Sequence, residues 1–290
     1  MKLKFFLLVS VFSLLGISCA SDGGTEQVPV SGGSSIEIAE NIISLSPTAT
    51  EILFAIGAGS QVVAVDDQSN FPEEAPMTSL SGYTPNIESI AEYQPDLVVA
   101  SYDPGDLVAG LEALGVKTLL QPAASSMEDT YSQINELGLL TGHESEADQL
   151  VESIKSDLDE ISSNKLGDGL SYYHEIDNTF YSPTSKTFLG KLYSLLGLSN
   201  IADPAIEGGF GWPQLSAEFI IDADPDLIFL GDADWGESAE TVAARPGWGS
   251  MTAVVSGQVI PVDTDTSGRW GPRVVDFLTS VRAEIEKILG

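Results

Sequence analysis

The 290-residue chain has one cysteine, Cys19, and two histidines, His143 and His174. With no second cysteine it has no internal disulfide. Two histidines fall short of the several nitrogen and carboxylate ligands of a protein zinc or manganese site, so no metal centre is expected. Cations are scarce as well: 12 Lys and Arg stand against 43 Asp and Glu, a net charge of −31. Such a surface repels phosphate backbones and anionic lipid, which excludes nucleic acid as a partner. It suits a secreted protein in a salty medium, where screening makes self-repulsion tolerable. Catalytic signatures are missing too: there is no Gly-x-Ser-x-Gly elbow, no usable cysteine nucleophile and no His-Glu-x-x-His. No catalytic residue is therefore assigned and the chain reads as a non-enzyme. In a chain this acidic, Asp66-Asp67 and Asp232-Ala233-Asp234 read as solvated loops.

What is present begins at the N-terminus. Lys2 and Lys4 precede an apolar run from Phe5 to Ile17, too short to span a bilayer, which needs about 20 residues. Gly16-Ile17-Ser18-Cys19 follows and reads as a lipobox, so residues 1–19 are expected to be a lipoprotein signal peptide with Cys19 as the lipidated residue. Residues 20–35 are small, polar and aperiodic, a flexible tether that lets a folded domain stand off a membrane.

The folded part says one thing twice. Residues 86–99 and 216–229 share a pattern: an N-cap residue (Asn86, Ser216), a glutamate in the first helical turn (Glu88, Glu218), a Pro-Asp pair (Pro95-Asp96, Pro225-Asp226) and a short apolar run. The cap and carboxylate suit the exposed N–H groups and dipole of a helix start. Proline ends the helix, and a brief β-branched or bulky run fits a strand buried on both faces. Two similar α/β lobes with a groove between them are expected.

Apolar residues at Ala147, Leu150, Val151, Ile154, Leu158 and Ile161 recur at helical spacing within 126–164, where no strand pattern occurs. The expected organisation is an N-terminal lobe at 36–142, a connecting helix at 143–166 and a C-terminal lobe at 167–290. The fold class is α/β: two Rossmann-like lobes with mostly parallel sheets joined by one long rigid helix. First-lobe strands are expected at 42–46, 62–65, 97–100 and 116–120. Second-lobe strands are expected from Leu170 to Tyr173, after Pro225-Asp226 and at 258–262.

Residues 41–51 resemble the opening of the substrate-binding proteins of ABC importers for vitamin B12 and iron siderophores. Phe71 to Glu74, Asn86 to Glu88, Gln94 to Val98, Gly211 to Glu218 and Arg269 to Arg273 agree with that family in order and spacing. The resemblance covers 41–290 and is nearest to the vitamin B12-binding branch through Trp212 to Gln214 and Asp265 to Arg273. The chain departs from that branch at Gln68 and Gly82, where the branch has aromatic residues. The resemblance implies an extracytoplasmic, lipid-anchored monomer that captures a corrinoid and delivers it to the transmembrane subunits of an ABC permease, with no resident cofactor. An iron-siderophore or haem receptor of the same family is the alternative, and a secreted α/β hydrolase the remote one.

Taken singly, Glu88 and Glu218 read as dipole-complementing carboxylates worth about 0.3–1 kcal/mol each. The repeat puts one on each lobe, and the resemblance implies that they dock on permease arginines. Ligands in open α/β sheets bind at the carboxyl ends of strands, in mostly apolar sites with a few polar groups. Candidate ligand residues are Pro47, Gln68, Tyr83, Tyr102, His174, Tyr181, Trp212, Asp265, Arg269 and Trp270. His174 could also be an axial ligand to cobalt or haem iron, or a hydrogen-bonded loop residue.

Overall fold

The computed structural model describes residues 37–205 and 211–290. Cys19, the signal segment 1–19 and the tether 20–35 lie outside the described residues.

The first lobe alternates strand and helix: β1 (Ile42–Leu45), α1 (Pro47–Ala55), β2 (Val62–Asp66), β3 (Met77–Leu80), α2 (Ile87–Ala91), β4 (Leu97–Ala100), α3 (Leu107–Ala113) and β5 (Lys117–Leu120). Among the described residues its sheet has five strands in the order β3-β2-β1-β4-β5, and every pairing is parallel. β1 and β4 at its centre are buried along their whole length, as their unbroken apolar character requires. β3 is absent from the sequence reading: Met-Thr-Ser-Leu lies on the sheet edge, half exposed, and has no apolar run to announce it.

Two long helices follow, α4 (Met127–Thr141) and α5 (Glu144–Ser162). Gly142, left-handed at φ 75°, caps the first; a side chain there would be strained, which sharpens the turn between them. The second lobe contains β6 (Ser171–Glu175), α6 (Phe188–Leu195), β7 (Ser199–Asn200), α7 (Ala217–Ala223), β8 (Leu227–Leu230), α8 (Ala239–Ala244), α9 (Thr252–Val255), β9 (Val259–Pro261), α10 (Thr264–Gly268) and α11 (Val274–Leu289). Its sheet runs β7-β6-β8-β9, also parallel throughout. Each sheet therefore centres on equivalent pairs, β1 with β4 and β6 with β8.

The two Pro-Asp repeats have matching structural roles. Asp96 accepts hydrogen bonds from the backbone N–H of Glu40 and Asn41, just before β1. Asp226 accepts from the N–H and hydroxyl of Ser171, at the start of β6. In both lobes the aspartate thus ties the beginning of one central strand to the beginning of the other.

The lobes share one core. A single apolar cluster joins Ile42, Val65 and Val99 of the first sheet to Tyr172 and Phe229 of the second, through Ile134, Val151, Leu158, Tyr193 and Phe277. The segment 264–273, expected within the second lobe, is bonded to the first: Thr130 donates to the Trp270 carbonyl, and Arg269 and Arg273 both donate to Glu51. The expected connecting helix is α5 (Glu144–Ser162), and α4 and α11 pack against it. Among the described residues no helix is long and apolar enough to cross a membrane.

Candidate functional site

All strands of the first sheet run parallel, so their carboxyl ends meet on one edge, and there lies a cavity of about 470 Å³. Each strand sends a residue to it from its end or the following loop: Ser46 after β1, Asp66 on β2, Gly82 after β3, Ser101 after β4 and Ala123 after β5. Thr264, Asp265, Arg269 and Trp270 close the opposite side. The volume falls in the range of about 300–1,000 Å³ usual for small-molecule sites.

The wall is aromatic and poor in free cations. Tyr83 and Tyr102 lie with ring centroids 6.1 Å apart, and Tyr83 is 70% exposed. Trp270 donates its indole N–H to Gln133 at 2.8 Å, which fixes the ring while leaving it half exposed. Arg269 is buried; its guanidinium donates to Glu51 at 2.7 Å, Asp265 at 2.7 Å, Asn70 at 2.8 Å and the Gln68 carbonyl at 3.1 Å. Four acceptors satisfy this cation, so it organises the wall and carries no uncompensated charge toward a ligand. Arg273 completes the group, donating to Glu51 at 2.6 Å and lying over the Phe71 ring.

Pro47, Gln68, Tyr83, Tyr102, Asp265, Arg269 and Trp270, all read as ligand residues, are brought together here. Tyr181 and Trp212 are not; they are exposed on neighbouring loops of the second lobe, where Tyr181 pairs with Gln214, outside this lining. His174 is a correction. It lies on β6, not in a loop, is 1% exposed, and its Nδ1 sits 2.8 Å from the Tyr193 hydroxyl. Burial pushes its pKa down to about 3, so it is a neutral core imidazole with no face toward a ligand. The acidic clusters are a second correction. Asp66 and Asp232 are buried, not solvated, because each sits at or just beyond a strand's carboxyl end beneath the following loop. Burial raises the pKa of both, that of Asp232 to about 7, with Glu175 adding to the effect and Arg245 opposing it.

Three features were missed. Ser46 and Ser101, joined by a hydroxyl–hydroxyl bond of 2.8 Å, are too ordinary in sequence to stand out. Glu51 gave no signal because its partners lie over 200 residues away. Trp235 is 75% exposed, one residue from Asp234, which accepts from the lining residue Thr264; its place just after β8 was the available signal. Glu88 and Glu218 stand exposed in the first turns of α2 and α7, whose caps Asn86 and Ser216 accept from Ser89 and Phe219. Among the described residues, no group of three or more His, Cys, Asp or Glu could hold a metal ion.

A family profile described as periplasmic binding protein matches residues 42–266. The chain is 32% identical over 257 residues to the uncharacterized ABC transporter substrate-binding lipoprotein YvrC of Bacillus subtilis, covering 85% of this chain and 80% of that one. It is 26% identical over 249 residues to the cobalamin-binding protein of Halobacterium salinarum, 82% of this chain and 67% of the relative. A crystal structure described as a possible iron-binding (periplasmic solute-binding) protein from Staphylococcus epidermidis superposes with a TM-score of 0.74 at 26% identity, over 86% of this chain and 99% of that one. The parallel two-lobed fold, the ligand-sized cavity at the strand ends and these likenesses agree: the chain belongs to the periplasmic binding proteins, which are non-enzymatic transport components, and is the substrate-binding protein of an ABC transporter.

Proposed function

We propose that the cavity captures a corrinoid outside the cytoplasmic membrane and presents it to the permease. One observation carries the choice of ligand: Arg269, the sole cation among the described lining residues, is held by Glu51 and Asp265, which leaves aromatic faces, uncharged polar groups and the Asp66 carboxyl. A corrinoid is broad, largely apolar in its ring and fringed with amides, and suits such walls. A ferric catecholate is anionic and wants uncompensated positive charge. The Halobacterium relative named as cobalamin-binding supports the same choice. Titration calorimetry with cyanocobalamin should give a saturable isotherm, and Trp270→Ala should weaken it by about 1–3 kcal/mol, the scale of a buried aromatic contact. Heat from a ferric siderophore or haem, with none from cyanocobalamin, would move the function to an iron receptor.

Glu88 and Glu218 serve docking in this reading, one exposed carboxylate on each lobe meeting basic groups of the transmembrane subunits. Replacing both with alanine should leave ligand affinity unchanged while uptake falls; lost affinity in a folded double variant would remove the assignment. The Gly16-Ile17-Ser18-Cys19 lipobox completes it with a membrane anchor at Cys19. Mass spectrometry finding an unmodified Cys19 in the mature protein would remove that part.

A further inference from the structure

Asp66 has no role in the reading above, and its surroundings are unusual. It is the last residue of β2, 2% exposed, and lines the cavity. Its Oδ1 is buried without a hydrogen-bond partner. A buried carboxylate oxygen left unmatched is costly, and a binding cavity is one place where a ligand can supply the missing donor. Ser69 and the Gln68 backbone lie near enough to stabilise the carboxylate, yet burial outweighs them.

Gly82 explains how the carboxyl fits. A Cβ at this position would lie 2.9 Å from Asp66 Oδ2 and 2.6 Å from the Leu45 carbonyl. The carboxyl therefore fills space that any other residue at 82 would claim. The described lining of the cavity beside it includes Tyr83, Tyr102, Ser46, Ser101 and Gln68, and the neighbouring charge that acts on Asp66 is that of Asp67. Arg269, the one cation among the described lining residues, donates to Glu51, Asp265, Asn70 and the Gln68 carbonyl, not to Asp66.

We infer that Asp66 is a specificity-determining residue, its buried carboxyl receiving an N–H donor of the bound molecule and discriminating against ligands that present an anionic oxygen to this wall. The inference rests on the corrinoid reading and narrows it, since a corrinoid's primary side-chain amides are such donors. It selects an intact amide fringe over one in which an amide has been hydrolysed to a carboxylate.

Calorimetry with two ligands tests this without any substitution. Cyanocobalamin and its monocarboxylate derivatives differ by one amide each, so at least one derivative should bind wild-type protein about tenfold or more weakly, the scale of a charged group losing its hydrogen bond. Asp66→Asn keeps the shape and one acceptor and removes the charge. It should bind cyanocobalamin within a few-fold of wild type while the penalty on the carboxylate shrinks to about threefold or less. A purely structural role for Asp66 would weaken both ligands alike and leave their ratio unchanged. Cyanocobalamin bound with no discrimination against any monocarboxylate would overturn the inference and leave the corrinoid reading standing. Hemin, with two carboxylates, separates the other failure. Wild type that takes hemin and refuses cyanocobalamin would overturn the corrinoid reading. The inference would then hold only if Asp66→Asn bound hemin more tightly, and would fall if it did not.

Discussion

At the residue scale, a few buried charges set the character of the molecule. Glu51 serves both Arg269 and Arg273, and Glu175 holds Arg245 through two bonds of 2.6 and 2.7 Å while Glu237 takes a third. These pairs are neutralised in place. Asp232 is not: both its oxygens are buried without partners, and Glu175 and Glu237 push against it more than Arg245 relieves it. Its folded pKa of about 7 lies above the ordinary value of 3.8, so the folded state binds its proton more tightly than the unfolded chain does. Well below pH 3.8, the unfolded value, both states are protonated and the group costs nothing. As pH rises toward 7 the unfolded chain ionises first, and stability falls. Asp232→Asn should therefore match wild type at about pH 2.5 and exceed it by about 1–3 kcal/mol at pH 8, read from denaturant midpoints. A difference independent of pH would show that Asp232 is solvated when folded.

At the element scale, the repeated helix–Pro-Asp–strand unit is the clearest device in the chain. Its legibility came from its punctuation: Asn86 and Ser216 cap, proline stops, and a four-residue apolar run follows, buried throughout in both lobes. The aspartates stitch β1 to β4 and β6 to β8 at their amino ends. That job was hidden because it joins residues 55 apart through backbone N–H groups, which no side-chain pattern announces. Asp226→Ala leaves the Ser171 N–H without its partner and should cost about 1–3 kcal/mol, with ligand affinity unaffected because neither residue lines the cavity. An unchanged melting temperature would show that water replaces the carboxylate without loss. The edge strand β3 escaped notice for the converse reason: with one neighbour and half its surface wet, it needs little apolar character.

At the scale of the whole molecule, the first sheet directs its carboxyl ends to the cavity, the 264–270 segment closes it, and one apolar core joins the two lobes. The lobes and the long α5 were readable because buried strands and amphipathic helices leave periodic patterns. The cavity was partly readable: aromatic and polar residues flanking strands at Tyr83, Tyr102 and Trp270 do line it. His174 misled because a histidine beside a glutamate looks polar, whereas the β6 ladder and Tyr193 bury it. Asp66 misled in the opposite sense, since an Asp-Asp pair looks solvated until the loop folds over it. The core spanning both lobes was not readable, because residues of one cluster lie as far apart as Ile42 and Ile285.

The proposed cargo of this receptor is a corrinoid. The most direct measurement is the visible spectrum of the purified protein after exposure to an equimolar mixture of cyanocobalamin, hemin and a ferric catecholate, followed by gel filtration. Corrin absorption should co-elute with the protein. A haem Soret band or the charge-transfer band of the ferric chelate in the protein peak, without corrin absorption, would contradict it.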